Sequence, residues 1–205
     1  MFNGLIREIA QVRSFKGNIL SLKASLKPKL GDSIAVNGAC LTVISLEKGG
    51  FSLELSKESR THLALENFKD LVHIEPALSL GERIDGHLIQ GHIDGLGELF
   101  KIVRVENGVD FYLRVPSDLM GFMCQKGSIG IDGVSLTINE LLANGIRLTI
   151  IPISFRHTLF HSYKIGRRIN IESDLLARYS ARWLEYKKEK RQLSWQEIER
   201  ISYLY

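Results

Sequence analysis

The chain has 205 residues, of which 44% are hydrophobic and 24% charged, a composition typical of a soluble globular protein and not of a disordered one. No apolar run reaches the roughly 18 residues that a membrane-spanning helix needs, and the first residues do not resemble a signal peptide, so a cytoplasmic protein is expected. The net charge of +4 is concentrated near the end, at Lys187–Arg191, whereas a nucleic-acid-binding protein usually carries a broader basic stripe, so no nucleic-acid partner is expected.

Short runs rich in Val, Ile, Leu and Thr follow one another along the first 173 residues, separated by glycine-containing turns. Several short strands at this spacing predict a small antiparallel barrel or sandwich. Helical signal is weak here, and Asp118–Met123 is expected to form one short turn. Four pairs are typical of tight hairpins: Gly17-Asn18, Gly49-Gly50, Asn107-Gly108 and Asn144-Gly145.

The pattern becomes helical from Asp174, which is a plausible N-cap. An apolar stripe follows at helical spacing, which favours an oligomerisation helix; the alternative is a helix packed on its own barrels. Ser194 and Glu197 have the spacing of a capping box, so a second short helix is expected there. The stripe consists of Leu176, Tyr179, Trp183 and Tyr186, while Ile198, Ile201 and Tyr205 are not assigned.

The first half of the chain is repeated in the second half. The run from Ser33 to Val43 matches the run from Ser128 to Ile138, 95 residues later, and Ser59 aligns with Ser154 at the same offset. A repeat this long indicates a duplicated domain and not a solenoid. We therefore expect two barrel-like domains and a helical tail, over residues 1–83, 84–173 and 174–205.

Four motifs in order resemble the riboflavin synthases that consist of a single duplicated chain. They are Met1-Phe2-x-Gly4, Val36–Val43 (VNGACLTV), Gly86–Gly95 (GHLIQGHIDG) and Gly130–Thr137 (GIDGVSLT). The resemblance implies a mainly β fold of two six-stranded antiparallel Greek-key barrels and a C-terminal helix that builds a homotrimer. The N-terminal barrel of one subunit would then face the C-terminal barrel of a neighbour.

The resemblance also implies the reaction. Two molecules of 6,7-dimethyl-8-ribityllumazine exchange a four-carbon unit, giving riboflavin and 5-amino-6-(D-ribitylamino)uracil, with no cofactor and no metal. The two cysteines, Cys40 and Cys124, form no CxxC pair, which also argues against a zinc site. A rival interpretation is a lumazine- or flavin-binding antenna protein without catalysis, and the retention of the same core motif in both repeats favours the enzyme.

Proton removal from the acidic methyl group of the substrate requires a base, and histidine is the residue type best suited to proton transfer near neutral pH, so His92 is the candidate. His87 lies five positions earlier, so on a strand the two rings would point to opposite faces, and only His92 would enter the pocket. A structural histidine is the alternative. The other histidines are expected at the surface: His62, His73, His157 and His161.

Cys40 and Ser135 occupy equivalent positions of the repeats and are candidates for a nucleophile or a hydrogen-bonding group. A buried small residue on a strand is the alternative for Cys40. Thr42 and Thr137, two residues further on, would face the same side of their strands. Asp174 matches an acidic position of the family near the active site, besides its N-cap role.

The resemblance assigns further substrate contacts to backbone and side-chain groups of both halves. The third residue is usually Thr where this chain has Asn3, and Arg60 and Phe155 also depart from the family pattern. The assigned contacts are Gly4, Leu5, Ile6, Leu41, Glu54, Leu55, Ser56, Lys57, Glu58, Ser59, Gly91, Ile93, Lys126, Leu136, Ile151, Pro152, Ile153, Ser154, Phe155 and Arg156.

Overall fold

Two closed six-stranded antiparallel barrels follow one another along the chain, and a helix extends from the second. The computed structural model describes residues 1–191. The N-barrel consists of β1 (Glu8–Lys16), β2 (Ile19–Lys23), β3 (Ser33–Val36), β4 (Ala39–Glu47), β5 (Gly50–Glu54) and β6 (Leu71–Pro76). The C-barrel consists of β7 (Gly95–Val105), β8 (Gly108–Arg114), β9 (Ser128–Ile131), β10 (Val134–Leu142), β11 (Gly145–Ile150) and β12 (Arg168–Ser173).

Both barrels have the same topology. The strand order is β1-β2-β5-β4-β3-β6 in the first and its equivalent in the second, so β2 lies beside β5 in a Greek-key arrangement. Irregular register interrupts β1 and β4 of the first barrel, and equivalent positions of β7 and β10 in the second. Such bulges bend strands so that a sheet can close. The duplicated-barrel prediction and the four hairpin turns are thereby confirmed.

Alternate residues of each strand fill a separate apolar core inside each barrel. Because a closed barrel has an inside and an outside, strand residues alternate between buried and exposed. The N-barrel core includes Leu20, Leu22, Leu41, Val43, Phe51, Leu53, Leu55, Val72 and Ile74. The C-barrel core includes Leu99, Phe111, Leu113, Ile129, Ile131, Ile138, Ile146, Leu148, Ile150, Ile169 and Ile171.

Short helices occur at equivalent places after β5 and β11. The helix α1 (Lys57–His62) begins after Ser56, whose side-chain oxygen accepts a hydrogen bond from the Ser59 amide at 3.0 Å. The helix α2 (Pro152–His157) begins with a proline, a residue favoured at the first helical position. The sequence predicts neither helix, because six residues are too few to establish a helical periodicity.

The two barrels meet at the tight turns Asn37-Gly38 and Asp132-Gly133. A β-carbon added to Gly38 would lie 2.7 Å from the Gly133 nitrogen, and the reverse approach is equally close. Glycine is therefore required at both positions, where φ is +86° and +81°. The repeated Asn/Asp-Gly motif thus forms the junction between the halves.

Equivalent polar side chains of β6 and β12 cross this junction. His73 donates from Nδ1 to the Asp132 carbonyl at 3.0 Å and accepts from the Leu159 amide at Nε2 at 2.7 Å. Asn170 donates to the Asn37 carbonyl and accepts from the Ala64 amide, both at 2.9 Å. His73 is fully buried, so the prediction that it lies at the surface is wrong.

The segments that open each half are exchanged between the barrels. Residues Phe2 and Ile89 form an antiparallel bridge, with amide-to-carbonyl distances of 2.7 and 3.0 Å. Ile6 then packs against the C-barrel core, and Ile93 packs against the N-barrel core. We call Phe2–Ile6 the first start segment and Ile89–Ile93 the second. Each barrel is therefore completed by a segment that precedes the other barrel.

The C-terminal helix α3 (Leu175–Arg191) begins next to Asp174, whose carboxylate accepts from the Leu176 amide at 2.8 Å, as expected of an N-cap. Its apolar stripe stays open: Leu176 and Tyr179 are each 68% exposed and Trp183 is 56% exposed. The alternative in which this stripe packs on the chain's own barrels is therefore wrong for these residues. The second helix expected at Ser194 lies outside the described residues, as do Glu197, Ile198, Ile201 and Tyr205.

Candidate functional site

A cavity of about 550 Å³ opens at the end of the N-barrel. Its volume is within the range of small-molecule sites. Polar side chains from β4, β5, α1 and the second start segment converge on it, so it offers hydroxyl, thiol, carboxylate and imidazole groups. The lining residues are Ala39, Cys40, Thr42, Glu54, Ser56, Ser59, His62, Leu63, Gly91, His92 and Ile93.

The second start segment closes one side of this cavity. Gly91 has a φ of +80°, and its carbonyl accepts from the Cys40 amide at 2.9 Å. A β-carbon on Gly91 would lie 2.6 Å from the Cys40 β-carbon, so only glycine permits this approach. The close contact brings His92 beside Cys40 at the cavity wall.

A buried carboxylate holds each start segment in place. Glu172 accepts from the amides of Gln90 and Gly91 at 2.7 and 2.9 Å, and Glu75 accepts from those of Asn3 and Gly4 at 2.8 and 3.0 Å. Burial raises the pKa of each carboxyl to about 7, while the amides act in the opposite direction. The two halves therefore fix their start segments in the same way, each by a buried glutamate that accepts from two backbone amides.

In the C-barrel, Ser135 stands at the position equivalent to Cys40, and the first start segment lies against it. The Ser135 amide donates to the Gly4 carbonyl at 2.9 Å, and a β-carbon on Gly4 would lie 2.5 Å from that amide nitrogen. The Ser135 hydroxyl lies 2.7 Å from Nδ1 of His87. The Ser135 amide therefore makes the same contact with Gly4 as the Cys40 amide makes with Gly91. The contact with the His87 ring is an additional feature of the C-barrel.

His87 is 9% exposed, and among the described residues its Nε2 has no hydrogen-bond partner. Burial lowers the pKa of His87, and the nearby charge of Asp174 opposes that shift. A neutral imidazole carries one donor and one acceptor nitrogen. One nitrogen of this ring is thus a buried polar atom without a partner among the described residues.

The two histidines serve different barrels. Residues between Ile84 and Asp94 form a loop with a single bridge at Ile89, and not the strand that the spacing argument assumed. His92 lines the N-barrel cavity and His87 contacts Ser135 in the C-barrel. Of the two rings only His92 lines the N-barrel cavity, although neither lies on a strand as the five-residue spacing had suggested.

The structure brings together most of the residues predicted for the N-barrel. The exceptions are Leu41 and Leu55, whose side chains are 2% and 1% exposed and belong to the core. Lys57 is exposed on α1, and the side chain of Glu58 lies outside the described part of the chain. The sequence does not point to three further lining residues, Ala39, His62 and Leu63. Ala39 lies in the Val36–Val43 motif but carries no polar group, and neither His62 nor Leu63 belongs to a motif.

The other predicted contacts, from Ser135 onward and at Leu5 and Ile6, do not line the N-barrel cavity. Thr137 is exposed two positions further along β10, while Leu136, Ile6 and Phe155 pack against the barrel core. Leu5 is not among the residues of that core, and its amide donates a hydrogen bond to the Asn3 side chain at 3.1 Å. The remaining predicted contacts are exposed or half-buried on the loop before β9 and around α2: Lys126, Ile151, Pro152, Ile153, Ser154 and Arg156.

Two barrels of the same topology, each contacted by the other half's start segment, and a cavity of small-molecule size in the first define a duplicated β-barrel protein of the small-molecule-binding kind. A family model described as the lumazine binding domain matches residues 3–77 and again residues 90–174. Riboflavin synthase from Brucella abortus is 37% identical over 92% of this chain and 100% of the relative. Those from Photobacterium phosphoreum (90% of this chain, 89% of the relative) and Bacillus subtilis (93% of each) are 34% identical.

The chain belongs to the riboflavin synthase family, whose members are enzymes of riboflavin biosynthesis. Crystal structures of LumP in complex with 6,7-dimethyl-8-(1'-D-ribityl) lumazine and with riboflavin have the same fold, with TM-scores of 0.74 and 0.76. Both comparisons cover 84% of this chain and 99% of LumP at 19% identity. Within residues 1–191, no helix combines the length and apolarity needed to cross a membrane.

Proposed function

We propose that the protein converts two molecules of 6,7-dimethyl-8-ribityllumazine into riboflavin and 5-amino-6-(D-ribitylamino)uracil by transfer of a four-carbon unit. The observation that carries this proposal is the duplicated site. Cys40 and Ser135 stand at the same position of their barrels, each beside the glycine of an exchanged start segment. A reaction between two identical substrates calls for two similar pockets.

In this proposal the N-barrel cavity binds one lumazine. Hydroxyl and carboxylate groups of Thr42, Ser59 and Glu54 suit the ribityl chain, since all of them line the cavity. Backbone groups of the second start segment suit the pyrimidinedione edge, which has both donors and acceptors. His92 at the cavity wall is placed to take up a proton from the substrate.

The second lumazine binds at Ser135. The Ser135 hydroxyl would offer a polar contact, the His87 ring would orient that hydroxyl, and Asp174 adds a negative charge near the ring. Orientation of two bound reactants contributes about 7–11 kcal/mol to such reactions, so the pairing of sites is the main requirement. We propose that a homotrimer, formed through α3, brings the N-barrel site of one subunit to the C-barrel site of another.

The test is to incubate the purified protein with the lumazine alone, in the presence of a chelator and without added cofactor. Riboflavin should appear at half the molar rate of lumazine loss. Cys40→Ala and Ser135→Ala, one for each site, should each lower turnover at least tenfold while the fold is retained by circular dichroism.

The antenna-type interpretation gives a different result. Binding of the lumazine with altered fluorescence but without riboflavin formation would contradict the enzyme proposal and favour a lumazine-binding protein. A protein that neither binds nor converts the lumazine would contradict both.

A further inference from the structure

One arginine of the C-terminal helix contacts both ends of the segment that carries His92. Arg178, the fourth residue of α3, donates from Nη1 to Asp94 Oδ1 at 2.9 Å and from Nη2 to Gln90 Oε1 at 2.8 Å. Gly91, His92 and Ile93 lie between these two contacts, and all three line the N-barrel cavity. The guanidinium therefore bridges the base of the loop on which His92 stands.

The contact between Arg178 and Asp94 is partly shielded from solvent. The Arg178 side chain is 24% exposed and that of Asp94 is 14% exposed, so solvent screening is reduced. The other Asp94 oxygen accepts from both the amide and the hydroxyl of Ser173 at 2.7 Å. A planar guanidinium with donors fixed in a fork loses little freedom when it joins two acceptors.

The first start segment lacks the arginine contact. Glu75 and Glu172 fix the two segments in the same way, but the side chain of Asn3 is held by the Arg83 carbonyl and the Leu5 amide. The strand β12 is followed by α3, which supplies Arg178, whereas β6 is followed by the segment that leads into the second barrel. The first half therefore has no helix at the place where α3 stands in the second half. The arginine bridge is thus an addition to the repeat at the segment that carries His92.

We propose that Arg178 is a positioning residue, which ties α3 to both ends of the Gln90–Asp94 loop and thereby fixes the His92 ring at the N-barrel cavity. The catalytic consequence rests on the proposed function, whereas the effect on His92 does not. Because the same helix carries the open apolar stripe, the bridge also couples the proposed assembly surface to the pocket.

The first experiment needs no substrate. Imidazole resonances of the full-length, ligand-free protein are recorded with labelled histidine, and the His92 signal is assigned with His92→Gln. Arg178→Met should shift or broaden the His92 signal and leave that of His157 in place. The matched control is Arg182→Met, one turn further along α3, where the arginine pairs only with Glu185 and Glu189 among the contacts of the described residues. An unchanged His92 signal in Arg178→Met would overturn the proposal.

The second experiment follows turnover and mass together. Arg178→Met should lower kcat at least tenfold with the mass in light scattering unchanged, Arg178→Lys should recover part of the loss, and Arg182→Met should retain wild-type kcat. An equal loss of kcat in Arg178→Met and Arg182→Met would contradict the positioning role of Arg178. A loss of kcat in Arg178→Met that accompanies a fall in mass would contradict it as well. If the wild type shows no turnover, the proposed function fails while the resonance experiment still decides the role of Arg178.

Discussion

At the scale of single residues, two glycines determine whether the sites can form. Gly91 and Gly4 each have a positive φ and lie against the residue that begins the polar part of a site, Cys40 or Ser135. Any side chain at either position would have to push the start segment away from the barrel. The polar residues of the sites therefore depend on an approach that only a residue without a β-carbon allows.

Gly91→Ala tests this dependence. The added methyl group would lie 2.6 Å from the Cys40 β-carbon, so we expect the second start segment to shift and the affinity for the lumazine to fall at least tenfold. Gly81→Ala is the control, since Gly81 has a φ of +91° but no heavy atom of the described residues within 4 Å of the added carbon. It should cost about 1–2 kcal/mol of stability with affinity unchanged. Fluorescence titration and urea unfolding measure the two quantities, and equal affinities in both variants would refute the steric argument.

The sequence points to candidate site residues when they belong to a motif. Cys40 and Thr42 lie in the repeated motif and His92 in the Gly86–Gly95 motif, and all three line one cavity. The contact between His87 and Ser135 joins residues 48 positions apart and has no local pattern. His73 was misassigned because its two partners, Asp132 and Leu159, belong to the other half of the chain. Contacts that arise from the docking of two domains are not encoded in the periodicity of either one.

At the scale of elements, the strands were predictable and the short helices were not. Asn-Gly and Gly-Asn pairs set the hairpins, and alternation within strands follows from closure of a barrel. The six-residue helices α1 and α2 are specified by a cap at Ser56 and a proline at Pro152, which are weak signals in a sequence. The helix α3 was predicted from its stripe, of which Leu176, Tyr179 and Trp183 are more than half exposed in the part of the chain that the structure describes.

Trp183→Glu tests what covers the stripe. Trp183 is 56% exposed in the single chain. If its ring is buried between subunits, replacement by glutamate removes this apolar contact and places a carboxylate in the interface, where burial of the charge is costly. We expect the wild type to have the mass of three chains in light scattering at micromolar concentration and the variant to have the mass of one. Lys188→Glu, an exposed position on the opposite side of α3, should remain trimeric. A wild-type protein of single-chain mass would rule out the stripe as an assembly surface.

At the scale of the whole molecule, a buried neutral histidine and an amide hold the barrels together. The Asp132 carbonyl can only accept and the Leu159 amide can only donate, so the ring of His73 must carry its proton on Nδ1 and none on Nε2. If Nε2 were protonated, its N–H would face the N–H of the Leu159 amide, and neither donor would have an acceptor. Burial accordingly lowers the pKa of His73 to about 4. Asn170 makes the equivalent contacts with a group that does not titrate.

This difference predicts how acid affects the junction. The pKa of His73 is about 4 in the folded protein and near 6.5 when unfolded, so between these values the unfolded chain binds the additional proton and stability falls as the pH falls. The cost of His73→Ala in urea unfolding should therefore be smaller at pH 5 than at pH 7, by about 2 kcal/mol. The cost of Asn170→Ala should be the same at both pH values. Because Glu75 and Glu172 are present in every variant, their titration cancels in these differences, and a pH-independent cost of His73→Ala would show that the ring is not held in its neutral form.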